Sequence, residues 1–148
     1  MKFSEMRPGR IFVLSLEPGE IINDTIEAFA SEHGILYGAV SLAGGVDGGS
    51  VLTVGPKIPI GEKITPQTKT LEAPCEATGF GTIFPNEDGV PKVHMHGSAG
   101  RGGKSATGCF RKGMVAWLVT EVIVTEYVGT GPVRKKDAAT GFELLTVE

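Results

Sequence analysis

Cysteine and histidine are scarce in this chain: two cysteines and three histidines in 148 residues. Two thiols cannot build the disulfide framework of a small secreted domain. The opening MKFSEMRPGR carries charge where a secretory signal would carry an apolar core, so a cytoplasmic protein is the expectation. Long apolar runs are missing as well. The stretch from Ile35 to Val46 is interrupted by glycines and falls short of the ~18 residues that suggest a membrane span, so no membrane partner is expected. An excess of basic charge is also absent. With 14 Lys+Arg against 17 Asp+Glu, the net charge is −3; no global field attracts nucleic acid, and only local clusters could do so.

What is abundant is backbone punctuation, with 22 glycines and 9 prolines. That density excludes a simple helical bundle. The length suits one domain that buries its own core, and we expect a single unit over 1–148 with its core between about 10 and 145.

One segment reads as a helix. Ile22, Ile26, Phe29 and Ala30 fall on one face, with Asn23, Asp24, Glu27 and Ser31 on the other, which predicts an amphipathic helix over roughly 20–33. His33 and Gly34 supply its C-terminal cap. Elsewhere the pattern is short β-rich runs bounded by glycine. RIFVLSL before Glu17-Pro18-Gly19 reads as a buried strand, and the 114–128 stretch as a long, bent or doubled one. The Pro/Lys-rich segment 56–69 falls among strands and turns. The fold class is therefore α+β, a mainly antiparallel sheet packed on one principal helix.

One constellation carries chemistry. In His94-Met95-His96 a strand puts both imidazoles on one face, about 6–7 Å apart, with Val93 and Met95 turned to the core. The following Gly-rich loop returns to Cys109. A hairpin centred near Arg101/Gly102 would set Cys109 directly opposite His94, with β-carbons ~5 Å apart. Two nitrogens and a sulfur suit zinc and leave one tetrahedral position open for water, substrate or a further carboxylate, including one from another subunit. On spacing alone, the histidines could equally be hydrogen-bonded strand residues, with Cys109 a small buried hydrophobe.

Around this constellation, Arg101, Lys104, Arg111 and Lys112 are solvated surface charges or, for Arg101 and Arg111, contacts to an anionic ligand. Glu121 interrupts an apolar strand and is either a partner of a metal-bound histidine or an edge residue. Arg134-Lys135-Lys136 is a basic run too short to argue for DNA. Cys75 has no local ligand partner. Gly103-Lys104-Ser105 lacks the glycine five residues earlier that a phosphate-binding loop requires, since that position is Ser98.

These residues also carry a resemblance. The succession RIFVLSLEPGE, EHGI, GAVSLAGGVDGGSV, GTIF, VHMHGSAGR, TGCF and TGFELL, from about Arg10 to Leu145, resembles the PPC domain, named for its presence in plants and prokaryotes. The resemblance implies an α+β fold, a homotrimer, and zinc held at His94, His96 and Cys109. Cys109 stands where the family usually has histidine, which makes the site softer. Plant relatives add hooks that grip the DNA minor groove; this chain has no Arg-Gly-Arg-Pro hook, and a DNA partner is implied only by analogy. Two functions follow as expectations. One is a trimeric zinc-binding module with a regulatory or DNA-associated role. The other is a metal-dependent enzyme or binder of a small anionic ligand, with Arg101 or Arg111 orienting it. A purely structural metal is a third use of the same ligands.

Overall fold

A computed structural model describes residues 1–57, 65–111 and 113–147. Part of the Pro/Lys-rich segment and Lys112 lie outside the described residues. Among the described residues, ten strands and one helix follow in the order β1 (Arg7–Leu16), α1 (Ile22–Glu32), β2 (Gly38–Val46), β3 (Val51–Pro56), β4 (Pro66–Thr70), β5 (Cys75–Pro85), β6 (Pro91–Arg101), β7 (Lys104–Phe110), β8 (Ala116–Val128), β9 (Val133–Lys136) and β10 (Glu143–Thr146). Eight strands form one sheet, ordered β1-β8-β2-β5-β6-β7-β3-β4, and β9 with β10 makes a separate hairpin. Every ladder in both sheets is antiparallel. The α+β architecture expected from the sequence is the one observed.

The helix forms where the apolar spacing places it and stops at the predicted cap. His33 closes it, Gly34 takes φ +67°, and the amides of Gly34 and Ile35 donate to the carbonyls of Ser31 and Ala30. These are the paired bonds of a Schellman motif, which satisfy carbonyls that the helix end would otherwise strand. Ile22, Ile26 and Ala30 are fully buried against the inner face of the sheet, where Val40, Ile83, Met95, Val122 and Val124 join them in one core. Each large aliphatic side chain so buried contributes about 1.5–3 kcal/mol.

Strand β1 departs from expectation. Its continuous apolar run lies at the sheet edge, and Ile11 and Val13 are 69% and 76% exposed on the outer face. The run is apolar on both sides, yet only its alternate residues meet the core: Leu16 lies within it and Phe12 and Leu14 pack against it. The expected 114–128 stretch forms one strand, β8, from Ala116 to Val128, sandwiched between β1 and β2, with a register irregularity between Gly44 and Val46 of β2.

The outer face carries the feature that matters for function. Val13, Ile123, Ser41, Phe80, His96 and Cys109 stand opposite one another in turn across β1, β8, β2, β5, β6 and β7. This cross-strand row leads from exposed Val13, Ile123 and Phe80 to the two candidate ligands at its far end.

Candidate metal centre

The β6–β7 hairpin builds the site, and its register differs from the expected one by two residues. Cys109 faces His96 rather than His94, and Arg101 pairs with Lys104. The cause is the turn: Gly102 and Gly103 alone form it, with φ +59° and +77°, the doubly left-handed conformation of the tightest hairpins, which glycine adopts without steric cost. A slip of two keeps every side chain on its face, so the expected trio survives the change of partner.

His94 and His96 approach through their Nε2 atoms at 3.2 Å, with rings nearly perpendicular at 89°. One donor atom from each of His94, His96 and Cys109 lies within 4.8 Å of the others. With Zn–N bonds of about 2.0–2.1 Å, two nitrogens on a tetrahedral ion stand roughly 3.3 Å apart. The imidazole pair already has that spacing. Cys109 is buried while both histidines are exposed, so the sulfur forms the floor and the imidazoles the rim. The donor chemistry and the spacing fit zinc. Although the His94 side chain reaches solvent, partial desolvation of its ring, and after it the charges of Arg134, His96 and Arg111, lowers its pKa from the ordinary value. The shift favours the neutral imidazole that metal ligation requires.

Beyond Phe110 strand β7 ends while β6 continues, which leaves the backbone around Val93 without a neighbouring strand on that side. Glu27 of α1 fills part of the gap, accepting the Val93 amide at 3.0 Å and pairing with Lys92 at 3.1 Å. What remains is a cavity of about 570 Å³ lined by His94, Cys109, Arg111, Arg134, Asn23 and Phe142 among others. The size lies within the range of small-molecule sites.

The predicted outer residues divide. Arg111 lines this cavity, its guanidinium 5.8 Å from the centre of the Phe142 ring. Arg101 does not reach it. It sits at the hairpin tip, donating to the Pro74 carbonyl at 2.9 Å, five residues along the strand from His96 and therefore about 17 Å away. Glu121 is also apart: it pairs with Ala43, and β2 and β5 intervene between its strand and β6, a separation of about 14 Å at ~4.8 Å per strand. Cys75 is half-buried at the start of β5 with its thiol on the Ala73 carbonyl.

Sequence reasoning misses two buried polar residues of the cavity wall. Arg134, read as part of a short basic run, turns inward and is 8% exposed; one Nη donates to the Thr82 hydroxyl at 3.2 Å, and its Nε has no hydrogen-bond partner among the described residues. Asn23, assigned to the helix's polar face, is 4% exposed, donates to the Phe110 carbonyl at 3.0 Å, and leaves its Oδ1 unpartnered. Strand alternation in Val133–Lys136 was the available signal for Arg134, which points opposite to its two neighbours; nothing in the local pattern marks Asn23.

Sheet order and hairpin define an α+β protein in which three side chains able to hold a metal ion converge at a sheet notch. The Plants and Prokaryotes Conserved (PCC) domain matches residues 3–128, and the chain belongs to that family, the one that the sequence resembles. No curated protein matches it. Among solved structures it is similar to a metal-containing protein of Archaeoglobus fulgidus, at 28% identity and TM-score 0.84 over 99% of both chains. It is also similar to a plant- and prokaryote-conserved protein of Pyrococcus horikoshii, at 22% identity and TM-score 0.83 over 99% of this chain and 97% of that one. A Bacteroides thetaiotaomicron protein, provisionally called DNA-binding, shares the fold at 18% identity and TM-score 0.75 over 96% and 97% of the two chains. No helix among the described residues is long and apolar enough to cross a membrane.

Proposed function

We propose that this protein binds zinc through His94, His96 and Cys109 and presents it to a small anionic ligand in the adjoining cavity. The observation that carries this reading is the convergence of the three donors, with the two imidazole nitrogens at 3.2 Å. When bound, a zinc ion with three protein ligands supplies a Lewis-acidic fourth position for water or an anion. Arg111 and Arg134, both lining the cavity, favour negative charge beside that position. The metal-containing Archaeoglobus relative supports the metal assignment.

The exposed row Val13, Ile123 and Phe80 supports association of copies through the outer face, consistent with the homotrimer that the family resemblance implies. A DNA-associated role draws support from the name of a structural relative. Against it stand the net charge of −3 and the inward turn of Arg134, which removes one cation from the basic run.

The test is metal stoichiometry. Protein purified, stripped with chelator and reloaded with zinc should retain one ion per chain after dialysis, with nitrogen and sulfur ligands in its X-ray absorption spectrum. Protein that retains no zinc, or a His94→Ala/His96→Ala double variant that retains it fully, overturns the reading.

A further inference from the structure

We infer that a second site, at the tip of the β6–β7 hairpin, binds a small phosphate monoester or diphosphate through Arg101, Lys104 and Lys69. It is separate from the metal centre. Arg101 shares the strand parity of Met95 and Ala99, which face the core, opposite to that of His94 and His96, and it lies about 17 Å from His96 along β6.

The hairpin sets like charges face to face. Arg101 and Lys104 form the last pair of the β6–β7 ladder, so their side chains leave the same face of the sheet, with β-carbons about 5 Å apart. Cations directly opposed in this way destabilise a sheet. Nothing nearby offsets the repulsion: the ion pairs among the described residues, Arg10 with Glu126 and Lys92 with Glu27, include neither residue. Carboxylates are not in short supply, since 17 acidic residues outnumber 14 basic ones. A local conflict kept where an ion pair was available marks a position shaped by a ligand.

The space in front of the pair is concave. A cleft of about 410 Å³ opens between the hairpin tip and the β4–β5 connection, with Lys69 contributed by β4 and Cys75 by the start of β5. Three cations and one carboxylate, Glu72, line it, a local positive excess in a chain of net charge −3. All four charged side chains belong to exposed residues, so a ligand entering the cleft meets them directly. Arg101 is already oriented: one Nη donates to the Pro74 carbonyl at 2.9 Å, and the rest of its guanidinium fork remains for the ligand. A guanidinium with two ammonium groups matches a phosphate dianion better than the single charge of a carboxylate. The size is that of a small-molecule site, and the concavity excludes the convex rod of a nucleic-acid duplex.

The probe is inorganic pyrophosphate, and the reporter is Cys75, a half-buried thiol on the wall of the cleft. Alkylation of Cys75 by iodoacetamide in the purified protein, followed by mass spectrometry of its peptide, should slow roughly tenfold at ten times the dissociation constant, where about a tenth of the molecules are unoccupied. Sodium chloride at matched ionic strength should give no such protection. Arg101→Met and Lys104→Met should each weaken pyrophosphate roughly tenfold or more, the loss expected of a charged hydrogen bond. Lys104→Glu should abolish protection while leaving the melting temperature equal or higher, because it turns an opposed like pair into an ion pair; a merely structural lysine would not separate the two readouts. Alkylation indifferent to pyrophosphate overturns the inference, as does protection that survives the Arg101→Met/Lys104→Met double variant. Protection lost in Arg111→Met would move the anion to the metal-side cavity and overturn it too. So would a DNA duplex that protects Cys75 as well as pyrophosphate does at equal phosphate concentration.

Discussion

Cys109 stands directly across the β6–β7 ladder from His96, and this pairing, two residues off the one expected from the sequence, brings the thiol, His96 and the neighbouring His94 to one spot. The hairpin acts as a rigid jig for three donors. Its precision comes from the two-glycine turn at one end and, at the other, from the close approach of β3 to β7.

That approach yields the first prediction. A β-carbon on Gly108 would lie 2.4 Å from the Thr53 carbonyl oxygen, a backbone atom that cannot move alone. Gly108→Val should therefore push β3 from β7 beside Cys109 and destabilise the fold by about 1–3 kcal/mol. Zinc retention should fall with it. Unchanged stability and zinc content in denaturation and metal assays would show that the strands part without cost.

Removing the metal should be visible in stability. An ion that binds the folded site and not the dispersed ligands of the unfolded chain should, at a free concentration one hundred times its dissociation constant, add about 2.7 kcal/mol. Chelator should lower the melting temperature of the purified protein, and Cys109→Ala should make the melting temperature insensitive to chelator. A zinc-loaded protein whose melting is indifferent to chelation would contradict this.

A pH effect arises far from the site. The Arg10 guanidinium and backbone amide, hydrogen-bonded at 2.7 and 3.0 Å, hold the Glu126 carboxyl at about 2, well below its ordinary 4.5. Because the folded value is depressed, the stabilisation is complete above pH 4.5 and is lost as pH falls toward 2. Arg10 is half exposed, so water screens the pair and the contribution is about 1 kcal/mol. Glu126→Gln should cost that much at pH 7 in urea denaturation, with the gap closing at pH 2 to 3. A gap that persists there would assign the loss to packing.

The outer-face row gives a prediction about assembly. Val13 and Ile123 face each other on adjacent strands and are both exposed; Val13→Lys combined with Ile123→Glu should leave the monomer folded while reducing the oligomer mass seen by light scattering. A wild-type chain that is monomeric at all concentrations would leave that face without the proposed role.

The amphipathic spacing of Ile22, Ile26 and Ala30 and the His33-Gly34 cap are local features, so the helix was legible in the sequence. So were most strands, bounded by glycine, and the face shared by His94, His96 and Cys109, because strand alternation depends only on parity. The partner of Cys109 was not, since a turn centred half a residue from either glycine satisfies the same parity, and the choice depends on the backbone of Gly102 and Gly103 together. Exposure was not legible either: Ile11 and Val13 belong to an apolar run that only the sheet order places at an edge. Distance across the sheet removed Glu121 from the site, and distance along a strand removed Arg101, while both had seemed near in sequence. Arg134 and Asn23 lie 111 positions apart and meet one cavity only because the C-terminal hairpin and the helix both close on the free flank of β6. By itself the sequence determined which residues alternate and which cap, through local sterics and hydrophobic periodicity. The order of strands, and with it the cavity and its two orphaned polar groups, was decided by the tertiary structure, because burial is a property of what packs on a residue and not of its neighbours in the chain.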